Sequence, residues 1–201
     1  MISAGTLYVV ATPIGNLDDI SRRAIDTLQG VDLIAAEDTR HSKALLEKIE
    51  VKTRLTSYHD FSDDSVAARF LDKLQQGQSI ALISDAGTPL ISDPGFKLVR
   101  LVREANISVI PIPGVSAITA ALCVAGLATD RFCFEGFLAS KQGAREQSLS
   151  QLKYELRTMV FYESPHRIEA MLASVVSVFG ENRQVFVGRE LTKKFESHFL
   201  G

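Results

Sequence analysis

The chain has 201 residues, 46% of them hydrophobic and 23% charged, with a formal net charge of −2. That composition belongs to an ordinary folded protein long enough for a real core. Its slight acidity excludes a general nucleic-acid coat but leaves room for a local basic patch. No apolar run approaches the ~20 residues of a membrane span, so no membrane partner is expected. The N-terminus, MISAGTLYVVATPIG, lacks the basic region of a signal peptide. Cys123 and Cys133 sit in apolar surroundings without CxxC or His-rich spacing. No metal site is expected from them, and a cytoplasmic location fits.

Leu7 to Ala11 reads as a buried strand that ends in a Pro/Gly turn, TPIGN. Asp18 or Asp19 is expected to cap the next helix, whose apolar face is Ile20, Ala24, Ile25 and Leu28, with Gly30 as its C′ residue. Val31 to Ala36 is a second strand, followed by the charged run Glu37-Asp38-Thr39-Arg40 and a helix through Leu45, Leu46 and Ile49. Leu55 to Tyr58 is a short strand. Ser62 is expected to cap a helix that carries Val66, Phe70, Leu71 and Leu74 and stops at Gly77.

Ile80 to Ile83 is a short continuous apolar run, the mark of a strand buried on both faces of a parallel sheet. The character then changes at once to Ser84, Asp85, Ala86, Gly87, Thr88 and Pro89, which are small, polar or turn-forming. Asp93 as N-cap and Pro94 at the first helical position are expected to open the following helix. Ile107 to Ile112 is another strand. It ends in PGVS, where Ser116 is placed to cap an Ala-rich helix ending at Gly126.

Strands alternating with helices over this stretch imply an α/β fold with a parallel sheet covered on both faces. After Gly126 the texture shifts. Arg131 to Leu138 is an aromatic-rich strand, and Lys141 to Arg157 is charged and helix-prone. Thr158 to Tyr162 is a strand, Ser164-Pro165 starts a helix, and Gln184 to Gly188 is a last strand before RELTKKFE. The expected domains are therefore 1–126 and 127–201, the second short and incomplete. Phe132, Phe134 and Phe137 are expected in its core, with a dimer interface as their other reading.

ATPIGNL lacks the dinucleotide G-x-G-x-x-G spacing, and no Walker A or G-x-S-x-G sequence is present. His41, His59, His166 and His198 are scattered. What remains is a set of loops at strand carboxyl ends, which a parallel sheet brings to one edge, where ligands bind in open α/β folds. Those around Pro13-Ile14-Gly15, Asp85 to Ile91 and Pro113 to Ala117 are small or apolar and suit a flat ligand held by main chain. Those at Glu37 to Arg40, Tyr162 to Arg167 and Arg189 to Lys194 are charged and suit a polar substrate or proton handling.

The series ATPIGNLDDIS, AEDTR, SDAGTPLISDPG, PIPGVSA, FYESPHR and RELTK resembles the tetrapyrrole-methylase superfamily of S-adenosylmethionine-dependent enzymes. Within it, the series is most similar to the bacterial ribosomal RNA small-subunit methyltransferase I group. The resemblance implies two α/β domains with the cofactor, S-adenosyl-L-methionine, in a cleft between them. It implies methylation of the ribose 2′-oxygen of a cytidine in small-subunit (16S) ribosomal RNA, on the RNA or on an assembling 30S subunit, by a homodimer. Members of the group run on past the RELTK segment, which is why the second domain is expected to be incomplete.

Carried onto matching positions, the resemblance places Pro13 and Ile14 near the cofactor from the first strand. From the central loop it adds Asp85, Ala86, Gly87, Thr88 and Ile91, and from the PGVS loop Ser116 and Ala117. Tyr162, Val187 and Leu191 would contribute from the second domain. Removing the ribose hydroxyl proton calls for a base, and Asp85, Glu163, Glu190 and Lys193 are candidates by placement. Arg40, Arg167, Arg189 and Lys194 are the candidate phosphate contacts to RNA. Two other readings stand beside this one. The first is methylation of a tetrapyrrole precursor, against which the charged AEDTR and YESPHR loops argue, since a macrocycle wants a larger apolar pocket. The second is a non-enzymatic nucleotide-binding or dimerisation module.

Overall fold

The computed structural model describes residues 2–59 and 64–201. Ser62, expected as a helix cap, lies outside them. The chain divides into two compact units, Met1–Ala117 and Ile118–Gly201. The division falls just inside the helix that ends shortly before Gly126.

The first unit is built on a five-stranded sheet with the order β3-β2-β4-β1-β5. Its strands are β1 (Thr6–Val10), β2 (Leu33–Ala36), β3 (Leu55–Ser57), β4 (Ile80–Ile83) and β5 (Ser108–Ile112), and every pairing is parallel. The central strands are short runs of Val, Ile, Leu and Ala because helices bury both of their faces. Tyr8, Val10, Ile34, Ala36, Ala81 and Ile83 point to one side and pack with Ala24 and Leu28 of α1 (Arg22–Gly30) and Leu46 of α2 (Thr39–Lys48). Leu7, Leu33, Ala35, Ile80 and Leu82 point to the other side. There they meet Phe70 and Leu74 of α3 (Asp64–Gln75) and Leu98 and Val102 of α4 (Phe96–Glu104).

The helix starts differ from the expected ones. α1 is capped by Ser21, whose hydroxyl accepts from the Ala24 N–H at 3.1 Å, while Asp18 and Asp19 sit in a preceding 3₁₀ turn capped by Asn16. Gly30 is the last helical residue and not a C′ glycine. A Cβ there would stand 2.8 Å from Ile2 Cγ1, so close packing explains the glycine. α4 begins at Phe96 with Gly95 as N-cap, not at Asp93-Pro94. Gly95 adopts φ +133°, and Asp93 is held instead by a hydrogen bond from the Ser84 side chain.

The second unit opens with α5 (Ala117–Val124), whose first residue is the last of the first unit. It continues with β6 (Phe132–Phe137) paired in parallel with β7 (Thr158–Tyr162), and with β8 (Phe186–Arg189) paired antiparallel with β9 (Ser197–Leu200). α6 (Gln142–Gln151) is shorter than the charged run suggests. α7 (Ile168–Phe179) starts beyond Ser164-Pro165, after a turn. Leu138, Leu149 and Met171 form the core of this unit, with Phe161, Val175, Val178 and Phe179 against it. Of the three phenylalanines expected in the core, Phe132 and Phe137 are exposed. Phe134 is half-buried, its ring edge-on to Tyr162 at 4.8 Å.

Candidate functional site

The strand order decides where the first unit can bind a ligand. From β1 the chain leaves toward β2 and β3; from β4 it leaves the opposite way toward β5. β1 and β4 are neighbours whose loops lead to α1 on one face and α4 on the other, and open α/β sheets bind ligands at the carboxyl ends of strands where the connections part in this way. The two loops are tied at their roots. The Thr12 N–H donates to the Gly87 carbonyl at 2.8 Å, and the Gly87 N–H returns a bond to Thr12 at 3.0 Å. The buried Thr12 hydroxyl also donates to the Ser84 carbonyl at 3.3 Å. The loop after β5 joins them, since the Thr88 hydroxyl donates to the Val115 carbonyl at 3.0 Å.

Gly87 stands at this junction with φ +78°, a conformation that costs an L side chain roughly 1–2 kcal/mol. A Cβ there would lie 3.3 Å from Ile14 Cγ2 and 3.7 Å from the Val115 carbonyl. The glycine thus lets the loop after β4 pass close to Ile14 and the PGVS loop. Leu90 and Ser92 also take left-handed φ values, +73° and +67°. The loop after β4 is therefore held in an unfavourable path by its surroundings, a condition concentrated at functional sites.

The sheet edge is also acidic. Asp85 Oδ1 accepts from the Asp38 N–H at 3.1 Å and so ties the loop after β2 to the loop after β4. Asp38 caps α2 and pairs with the exposed Arg40, at 3.2 Å between Nη2 and Oδ2. Burial raises the carboxyl of Glu37 above its usual range, and the negative charges of Asp85 and Asp93 raise it further, while His59 opposes the shift. Burial likewise raises the carboxyl of Asp93.

Pro13, Ile14, Asp85, Ala86, Gly87, Thr88, Ile91, Ser116 and Ala117 thus belong to one edge of one unit. Pro13 and Ile14 are half-buried, while Ala86 and Ile91 are exposed. The edge combines main-chain groups, small side chains and nearby carboxylates. Sequence reasoning missed Thr12, which shows only as a polar residue in an apolar run. It also left Glu37 and Asp93 outside the candidate set, although AEDTR at a strand end marked the first.

The second unit holds the other candidates in two places. At the end of β7, the Glu163 side chain is 4% exposed; Oε1 accepts from the Ser164 N–H at 2.7 Å, and Oε2 lies 3.1 Å from Arg167 Nη2. Arg167 also donates to the Leu138 carbonyl at 2.6 Å. Tyr162 is packed edge-on by Phe134 and Phe137. Beyond β8, Glu190 and Thr192 have φ +52° and +69°, and the Thr192 N–H donates to the Glu196 carboxylate. Val187 and Leu191 are half-buried, Leu191 lying against Gly188. Arg189, Lys193 and Lys194 are exposed, with Lys194 Nζ 5.6 Å from the Phe195 ring.

Known proteins match this arrangement. The sequence family described as Tetrapyrrole (Corrin/Porphyrin) Methylases matches residues 6–201. The chain belongs to that family. Several relatives bear the name Ribosomal RNA small subunit methyltransferase I. That of Escherichia coli O157:H7 is 54% identical over 97% of this chain and 68% of its own length. That of Synechocystis is 55% identical over 98% and 71%. Among solved structures, uroporphyrin-III-C-methyltransferase from Thermus thermophilus has a TM-score of 0.67 at 18% identity, covering 98% of this chain and 84% of its own. A diphthine synthase has a TM-score of 0.68 at 14% identity, covering 97% and 81%. At such identities the structures speak for the tetrapyrrole-methylase fold alone. The chain is a methyltransferase of this family.

Proposed function

We propose that the chain catalyses S-adenosylmethionine-dependent methylation of the ribose 2′-oxygen of a cytidine in small-subunit (16S) ribosomal RNA. One observation carries this reading: the 54% identity, over 97% of the chain, to a protein named Ribosomal RNA small subunit methyltransferase I. When bound, S-adenosylmethionine supplies an activated methyl group, so much of the chemical difficulty lies in the cofactor. What the chain must add is alignment of the acceptor oxygen and a place for its proton.

In this reading the cofactor is held at the carboxyl edge of the first unit's sheet. Pro13, Ile14 and the stretch from Asp85 to Thr88, with Ile91, Ser116 and Ala117, contribute there. The close approach of the three loops at Gly87 and the acidic edge around Asp85 favour such a ligand. The family resemblance adds Tyr162, Val187 and Leu191 to the proposed cofactor residues. Arg40, Arg189 and Lys194 are exposed cations suited to phosphate. Arg167 and Glu163 form an ion pair and each also bonds a backbone group, while Glu163 Oε2 and Arg167 Nε are buried without a hydrogen-bond partner among the described residues, so Glu163 stays among the proposed bases and Arg167 is the less free of the proposed RNA contacts. Among the described residues no helix is long and apolar enough to cross a membrane, in keeping with action in the cytoplasm on an assembling 30S subunit. A homodimer belongs to the same reading, and the exposed Phe132 and Phe137 are apolar surface that an interface could cover; light scattering measures it.

The test is transfer of tritiated methyl from S-adenosylmethionine to 30S subunits that lack the modification, with the product mapped by nuclease digestion. Label in a 2′-O-methylcytidine of 16S RNA is the expected result. Label in an added porphyrin precursor and none in RNA would replace the acceptor. Cofactor binding without transfer to either would leave a binding module.

A further inference from the structure

We propose that Thr12, at the carboxyl end of β1, is a positioning residue for S-adenosylmethionine, because it holds both feet of the short arch Asp85-Ala86 in the loop after β4. The inference rests on the reading of this sheet edge as the cofactor site. It adds a residue buried too deeply to touch a ligand itself.

Thr12 follows the apolar run from Leu7 to Ala11, where one more apolar side chain would continue the packing of the strand. The position is 1% exposed, yet it carries a hydroxyl. Burying a hydroxyl is unfavourable unless it is hydrogen-bonded. This one donates to the carbonyl of Ser84 at 3.3 Å, and Ser84 is itself 2% exposed. Three residues further along, the Thr12 N–H donates to the Gly87 carbonyl at 2.8 Å, and the Gly87 N–H donates back to the Thr12 carbonyl at 3.0 Å. These two bonds make an isolated antiparallel bridge. One residue thus grips the chain at Ser84 and again at Gly87, and only Asp85 and Ala86 lie between.

The arch is the accessible part of the grip. Ala86 is exposed and Asp85 half-buried, whereas Ser84 and Gly87 are buried. Asp85 Oδ1 accepts from the Asp38 N–H at 3.1 Å, which braces the arch against the loop after β2. Beyond the arch, the Thr88 hydroxyl donates to the Val115 carbonyl at 3.0 Å. Gly87, Leu90 and Ser92 all take left-handed φ values. The loop therefore follows a path that its own residues disfavour, and ties from outside must hold it. The two main-chain bonds of Thr12 survive a change of side chain, but the tie to Ser84 needs a hydroxyl there. With both feet fixed, the groups of the arch are in place before a ligand arrives, and little ordering is left to the binding step. Removing the hydroxyl moves that ordering into binding, so affinity falls although no ligand contact is lost.

The experiment measures S-adenosylmethionine affinity by calorimetry for the native chain, Thr12→Val, Thr12→Ala and Thr12→Ser. Binding is measured in the cold, with circular dichroism showing each variant folded. Val keeps the shape of the side chain, Ala removes the hydroxyl without placing a methyl in its stead, and Ser keeps the hydroxyl. Thr27→Val is the comparison. Thr27 is 4% exposed and its hydroxyl donates to the Arg23 carbonyl at 2.7 Å, within α1. Thr12→Val and Thr12→Ala should bind about threefold or more weakly, the scale of one hydrogen bond, while Thr12→Ser and Thr27→Val stay within about twofold of the native chain. In methyl transfer to unmodified 30S subunits, KM for S-adenosylmethionine should rise in Thr12→Val and Thr12→Ala, with KM for the subunits unchanged.

Native affinity in Thr12→Val or in Thr12→Ala overturns the assignment. A loss in Thr12→Ser as large as that in Thr12→Val does so too, since the hydroxyl is then not the cause. An equal loss in Thr27→Val, or an equal rise in KM for the subunits, points to a general loosening of the unit and also overturns it. If the native chain binds no S-adenosylmethionine, the cofactor reading of this edge falls and the assignment with it. If the native chain binds and the variants without the hydroxyl bind as well, only the assignment falls.

Discussion

At the scale of single residues, Gly87 and Asp32 show how local chemistry sets both stability and binding. Gly87→Ala forces an L residue into φ +78° and puts a methyl 3.3 Å from Ile14 Cγ2. The expected cost is about 1–2 kcal/mol in urea unfolding, from the left-handed backbone alone. The same substitution crowds Ile14 at the proposed cofactor edge, so calorimetry should show weaker S-adenosylmethionine binding. Asp32 works at the other end of the sheet. Its Oδ2 accepts from the Ser79 N–H and from the Ser79 hydroxyl, each at 2.7 Å, and these bonds hold its carboxyl below the usual 3.8. A depressed carboxyl adds stability above its unfolded pKa and loses it as pH falls through the folded value. Asp32→Ala should therefore be less stable than the native chain at pH 7, and the gap should narrow below about pH 4, the ordinary aspartate value. A gap that stays constant from pH 7 to pH 3, followed by circular dichroism, would show that the carboxylate's charge plays no part.

At the scale of elements, the first unit was largely legible in the sequence, because buried parallel strands announce themselves. Ile80 to Ile83 is a strand of the expected length, and the apolar faces of α1 and α3 fall where their spacing put them. In α4 the spacing of Phe96, Val99 and Val102 suggests the buried side, but Leu98 and Val102 are buried and Phe96, at the first turn, is 62% exposed. Helix starts were less legible, since several side chains compete for one cap. Ser21 displaced Asp18 and Asp19 because the 3₁₀ turn used the latter first. β9 was missed because Ser197 to Leu200 is a short pattern whose strand character depends on pairing with β8. In the candidate site, loops at strand ends could be read from glycine and proline. The partners of Asp85, Glu163 and Arg167 could not, since those bonds depend on side-chain packing. Arg145 is the sharpest case. It stands in a polar helical run that suggests solvent, yet it is 4% exposed. Its Nε donates to Ser174 Oγ at 3.0 Å and its Nη1 to the Ser140 carbonyl at 3.0 Å. It also reaches the Ala139 carbonyl at 3.4 Å, so one guanidinium pins the β6–α6 loop to α7. Arg145→Leu leaves those acceptors without a charged donor. A charged hydrogen bond is worth about 1.5–3 kcal/mol, so a loss on the order of 3 kcal/mol is expected in denaturant unfolding. A loss under about 0.5 kcal/mol would mean that water replaces the arginine.

At the scale of the whole molecule, the charge balance limits how the chain can hold RNA. With 22 Lys and Arg against 24 Asp and Glu, no long-range field draws in phosphate, so affinity must come from a few placed cations and from shape. The candidate cations differ in how free they are. Arg167 has its charge beside Glu163 and a donor on the Leu138 carbonyl, so contacting phosphate would mean breaking the loop it holds. Arg40 lies against Asp38 but is 91% exposed. Arg189 and Lys194 are exposed and have no carboxylate partner among the described residues. Each phosphate contact to single-stranded RNA steepens the fall of log affinity with log salt by about 0.7. Arg189→Ala and Lys194→Ala should each lower that slope by about this amount while leaving the melting temperature in place. Arg167→Ala should do the reverse, with the slope unchanged and the fold weakened, since removing it leaves Glu163 buried and unpaired. Filter binding of a small-subunit RNA fragment between 50 and 200 mM salt, the range in which such contacts register, separates the two behaviours. If Arg167→Ala flattens the slope without a change in stability, its pairing with Glu163 gives way when RNA binds, and the YESPHR loop is an RNA contact.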